Sequence, residues 1–89
     1  MSNVRIAERL GALADGVELR VVSVSDFADQ LLGHTEALER MPYSRLKEAQ
    51  MVQAQLRHAI SHGQEQFVDV HTLGDWLRGW MAHVPSDPA

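Results

Sequence analysis

The tightest constraint on this sequence lies near its C-terminal end, in residues 67–84, FVDVHTLGDWLRGWMAHV. Leu73, Trp76, Leu77, Trp80, Met81 and Val84 recur there at i, i+3, i+4, i+7, i+8 and i+11. A helix of 3.6 residues per turn gathers them into one stripe. Thr72 is placed to cap that helix, with Asp75 three residues on as in a capping box. Gly74 and Gly79 oppose it, because a glycine inside a helix costs about 1 kcal/mol relative to alanine. A short helix so weakened is stable only when its tryptophan face is docked, on the chain's own core or on a partner.

The rest of the chain must supply that dock. Residues 4–14 are predicted to form a first helix, with Ile6, Leu10 and Leu13 on one face, Ser2 or Asn3 as cap and Gly16 just past its end. Residues 17–24, VELRVVSV, have the β-branched content of a strand and alternate at first, Val17, Leu19 and Val21 against Glu18 and Arg20. A strand needs a neighbour for its backbone groups, so it pairs either with 66–70, QFVDV, or with its own copy in a dimer. Asp26 is expected to cap a second helix reaching Met41, where Pro42 stops it. Phe27, Leu31, Leu38 and Met41 share a narrow arc of that helix, with His34 in its middle as a core histidine making one hydrogen bond. Residues 44–62 give the longest helix, with Leu46, Ala49, Val52, Leu56, Ala59 and Ile60 as its stripe and Gly63 as its end. The expected fold class is therefore mainly α. It is a small four-helix domain over residues 1–84 with one or two short β-strands, followed by a frayed tail at 85–89.

Composition narrows the chemistry. A chain of 89 residues makes one domain, and such a domain buries only roughly 60–65% of its unfolded surface. Without cysteine there is no disulfide framework, thiolate zinc site or cysteine nucleophile, which suits a reducing cytoplasm. No apolar run approaches the ~20 residues of a membrane span. The six glycines form no phosphate-binding pattern, the serines have no nucleophile-elbow context, and the carboxylates form no acid/base pair. The expectation is a protein that is not an enzyme and uses no cofactor. His58 and His62, four apart on the third helix, have a spacing that helical zinc sites use, with Glu65 or His71 as the ligand that would have to come round. They are the weak metal candidates, and the centre of the enzyme alternative. The plainer account is a solvated polar face. Net charge is -4, distributed as -3 over residues 1–40, +2 over 41–63 and -3 over the remainder. That is too little positive charge for a monomer to bind nucleic acid, since affinity rests on several neutralised phosphates.

The pattern Ala59-Ile60-x-x-Gly63-x-x-x-Phe67-Val68-x-x-x-x-Leu73-x-x-Trp76-Leu77-x-x-Trp80 resembles the C-terminal part of RelB/ParD-like type II antitoxins, over roughly residues 52–81. Proteins of that family commonly join an N-terminal ribbon-helix-helix dimer, which binds operator DNA, to a C-terminal part that wraps the toxin. The resemblance implies a ribbon-helix-helix-like homodimer built from strand 17–24 and the two helices after it. It also implies Arg20, Arg45 and Lys47 as phosphate or base contacts, and Phe67, Leu73, Trp76, Leu77, Trp80 and Met81 as anchors for the partner protein. Independently of any family, an apolar face holding two tryptophans has the composition of an interface hot spot. The expected function is a small regulator that binds another protein through the C-terminal helix. The alternatives are a phage or mobile-element inhibitor acting by protein contact without DNA, and a metal-dependent enzyme at His58 and His62.

Overall fold

Three of the four α-helices start on a side-chain cap. In the computed structural model, which describes residues 2–85, helix α1 runs Asn3–Glu18, α2 Val24–Ala37, α3 Tyr43–Ser61 and α4 Val70–Met81, with a 3-10 turn at Glu65–Phe67 before α4. Ser2 caps α1 by accepting from the Arg5 N–H, and Ser23 caps α2 by accepting from the Asp26 N–H at 3.1 Å. Gly63 follows α3 with φ 69°, the left-handed conformation that glycine adopts without penalty. The Gly63 N–H donates to the Ile60 carbonyl and the Gln64 N–H to the Ala59 carbonyl, so the last carbonyls of α3 are satisfied by a Schellman turn.

The helices run alternately up and down. Glu18 meets Arg78, Gly11 lies beside Met81, and Asn3 reaches Pro85, so α1 and α4 are antiparallel neighbours. Asp29 pairs with Arg57 between α2 and α3, and α1 also packs on α2. One pole holds the starts of α1 and α3 with the ends of α2 and α4. The other holds the remaining four termini, the α1–α2 turn and Phe67. Ile6, Leu10, Val17, Phe27, Leu31, Leu77 and Trp80 form the centre of a single core. Asn3, buried at 3% exposure, fastens the first pole: its Oδ1 accepts from the Glu39 N–H at 3.0 Å, and its Nδ2 donates to the carbonyls of Glu39 and Pro85.

Five of the sequence expectations change. No strand occurs among the described residues. Residues 17–24 are instead the last turn of α1, a tight turn and the start of α2. Both the Val21 and Val22 N–H groups donate to the Gly16 carbonyl, and a Cβ at Gly16 would stand 2.6 Å from Val22 Cγ2. The glycine expected to end α1 therefore lies inside it, leaving room for the chain to fold back. Residues 66–70 become the 3-10 turn and the cap of α4. That cap is Asp69 rather than Thr72: its carboxylate accepts from the N–H groups of His71 and Thr72 and from the Thr72 hydroxyl. Helix α2 starts earlier than Asp26 and ends at Ala37, four residues short of Met41, because Asn3 takes the Glu39 backbone and Arg40 turns left-handed at φ 62°. Leu38 and Met41 are still buried, from the loop rather than the helix. Of the tail expected at 85–89, residues 86–89 lie outside the described residues.

Candidate functional site

Helix α3 is the longest element and the least covered of the four α-helices. It buries only Ala49 and Leu56 of its 19 residues, whereas α4 buries five of 12. Leu46, Val52 and Ile60, which lie on its apolar stripe, pack against the core but remain partly open. The backbones of α3 and α4 approach each other sparsely, and side chains bridge the gap. Between the two helices, above the Trp76 ring, lies a cleft of about 310 Å³ lined by Val52, Gln55, Leu56, Val68, Leu73 and Trp76, with Asp69 and Thr72 at one end.

The indoles hold this cleft in shape. Trp80, 2% exposed, donates from Nε1 to the Arg45 carbonyl at 2.9 Å and closes the core beneath. Trp76, half-buried, donates from Nε1 to Glu48 Oε1 at 3.1 Å, while Glu48 Oε2 accepts from Arg45 Nη1 at 3.3 Å. Each tryptophan thus spans from α4 to α3 with its polar end satisfied, as a buried indole requires. The two rings are 6.4 Å apart.

The six residues assigned to partner contact divide by burial. Leu73, Leu77 and Trp80 are buried within the chain, so their apolar stripe is spent mainly on its own core. Trp76 and Met81 are partly open, and Phe67 is 78% exposed on the 3-10 turn. Met51, on α3, is 57% exposed. Val52, Leu56 and Val68 line the cleft and were missed as site residues. The signal for Val52 and Leu56 was present as the α3 stripe, but periodicity reveals which face is apolar and not whether anything covers it.

The basic and histidine candidates are dispersed. Arg20, left-handed at φ 57° in the α1–α2 turn, stands at one pole, and Arg45 and Lys47, in the first turns of α3, stand toward the other. Arg45 is paired with Glu48. The His58 and His62 rings are 4.2 Å apart on exposed surface. No group of three or more His, Cys, Asp or Glu residues able to hold a metal ion occurs among the described residues. His71 lies instead 3.9 Å from Glu18 at the α1–α4 seam, where Arg78 also binds Asp15, Glu18 and Asp75. A Cβ at Gly74 would collide with the Glu18 side chain, so the glycine that weakens α4 allows this seam to close. His34 is partly buried beside Leu13 and Val22, with Arg9 and Gln30 at the same cleft. Burial, with the nearby Arg9 charge adding to it, holds its pKa below the ordinary histidine value.

No described helix is long and apolar enough to cross a membrane. Compared with protein-family models, curated proteins and solved structures, the chain matches none.

Proposed function

We propose that this chain is a small non-enzymatic regulator that works by binding another protein through the cleft between α3 and α4. One observation carries the reading: the longest helix leaves its apolar stripe half covered, alongside an apolar cleft floored by a tryptophan. A helix in a finished core spends its stripe on burial, and a concave apolar surface with a few fixed polar groups is where ligands and partner segments seat. The contact set shifts accordingly from the whole Trp/Leu stripe to Trp76, Val52, Leu56 and Val68 in the cleft, with the exposed Phe67 and Met51 outside its lining, while Trp80 and Leu77 hold the platform.

The antitoxin-like version of this reading keeps its protein-binding half. Its DNA-binding half draws no support from the fold, because the segment that would form the ribbon is a turn between helices, and Arg20 stands at the pole away from Arg45 and Lys47. The test is affinity isolation with the full chain and with Met51→Asp and Phe67→Asp variants from the cells that make it. A protein recovered by the parent chain and lost with the variants, at unchanged thermal stability, is the expected result. Recovery unaffected by both substitutions would move the contact elsewhere, and a salt-sensitive shift of promoter DNA would restore the DNA half.

A further inference from the structure

Independently of the protein-binding reading above, we infer that the cleft between α1 and α2, lined by Arg9, Gln30 and His34, is a binding site for a small organic oxyanion, a carboxylate or phosphate carrying a short apolar group. The cleft measures about 420 Å³, a size typical of small-molecule sites, which run from roughly 300 to 1,000 Å³. Its apolar wall is Ala12, Leu13 and Val22. Leu13 is buried in the core, and Val22 is held by its N–H bond to the Gly16 carbonyl, so the wall is fixed before any ligand arrives.

The polar side is built from two helices. Arg9 stands one turn before Ala12 and Leu13 on α1, and Gln30 stands one turn before His34 on α2, spacings that place each set on one face. Together they offer a guanidinium fork, an amide and an imidazole, all able to donate. Among the described residues, neither the His34 ring nor the Gln30 amide has a hydrogen-bond partner. No carboxylate lines the cleft, in a chain with twelve acids. On the same two helices, Asp15 and Glu18 are bound to Arg78 and Asp29 to Arg57, while Glu8, Asp26 and Glu36 lie outside the lining. Two other clefts differ: Asp69 lines the one between α3 and α4, and Glu65 stands with Arg20 in the one beside the α1–α2 turn. Burial, and after it the Arg9 charge, holds the His34 pKa down. A negative group placed between Arg9 and His34 offsets that repulsion and accepts charge-assisted hydrogen bonds, with its alkyl part on Leu13 and Val22. An organic cation of the same shape would meet Arg9 instead.

The experiment titrates acetate, butyrate, butyl phosphate and, as a cationic control, butylammonium into the isotope-labelled full chain at constant ionic strength. NMR follows the His34 ring, the Gln30 amide and the Arg9 guanidinium. Butyrate and butyl phosphate are expected to move all three signals to saturation, with Kd below about 10 mM, and butylammonium to move none. Butyrate should bind about fivefold more tightly than acetate, because its two extra methylenes reach the apolar wall. The tighter of butyrate and butyl phosphate names the headgroup. Affinity for the anions should fall about tenfold in Arg9→Gln and about threefold in His34→Gln, and recover in part in Arg9→Lys, with the amide spectrum of each variant confirming the fold. Should Arg9→Gln not fold, the butylammonium and acetate comparisons on the parent chain decide. Shifts that grow without saturation, or that butylammonium produces equally, overturn the inference. So does unchanged anion affinity in a folded Arg9→Gln, or saturable binding that moves other residues and leaves these three still.

Discussion

Helices α3 and α4 face each other across the same cleft, yet they relate to the core in opposite ways. In α4, twelve residues with two internal glycines bury four side chains and Gly74, and its indoles reach across to find acceptors on α3. In α3, nineteen residues of better helix-forming composition bury two. Stability and coverage are thus separated. The intrinsically weaker helix is held by its docking, as helices in proteins usually are, while the stronger one stands with an open side. What the difference teaches is that α4 answers to this chain and α3 is free to answer to something else.

That contrast breaks first at Trp80. Removing its ring leaves a cavity under α3, so Trp80→Ala is expected to cost about 3–5 kcal/mol, measured by urea denaturation. A cost below about 1 kcal/mol would mean that α4 is no better anchored than α3. Next is Asn3→Ala, which strips partners from the Glu39 N–H and from two carbonyls at a buried position. A loss of about 1–3 kcal/mol is expected, with faster amide exchange at Glu39. Gly79→Ala goes the other way and sharpens the comparison: with open space at that Cβ, alanine should stabilise α4 by up to about 1 kcal/mol.

Acid should separate two groups. The Thr72 and His71 N–H bonds, with the Thr72 hydroxyl, hold the Asp69 carboxyl below the ordinary carboxylate range. Its contribution is therefore present above about pH 4, the unfolded value, and drains away as pH falls through the lower folded one. His34 is held below its ordinary value of about 6.5. The unfolded chain then binds the proton more readily, and stability falls as pH drops through that value. His34→Gln is expected to flatten the slope of thermal midpoint against pH between roughly 7 and 5, and Asp69→Asn the slope below roughly 4. The smallest expected effect is at Met51→Ser and Phe67→Ser, within about 0.5 kcal/mol by the same denaturation, since neither side chain is covered.

How much of this was legible follows from where each signal resides. The stripes of α1, α3 and α4 were readable because 3.6-residue spacing is written in the sequence itself, and the Gly63 stop because a left-handed C′ position is a local need. The supposed strand at 17–24 misled because β-branched content is a weak preference. The two N–H groups gathered by the Gly16 carbonyl and the cap at Ser23 outweighed it. The end of α2 was out of reach, since it depends on Asn3 binding Glu39 from 36 residues away. Asp69 and Thr72 were both competent caps three residues apart, and only the path of the preceding 3-10 turn chose between them. The cleft was half legible: its residues stood on the predicted stripes, but their lack of cover depends on how far apart two helices settle.

The Asn3 bond to the Pro85 carbonyl brings residues from opposite ends of the described chain to the same pole. A domain fused at either end would therefore grow outward from one place, like a handle, while Gly63, Phe67 and the upper mouth of the cleft point away from it. Tethered by either terminus to a surface or a larger assembly, the molecule would present the same tip, and tags or carrier proteins can be added at both ends at once without crowding it.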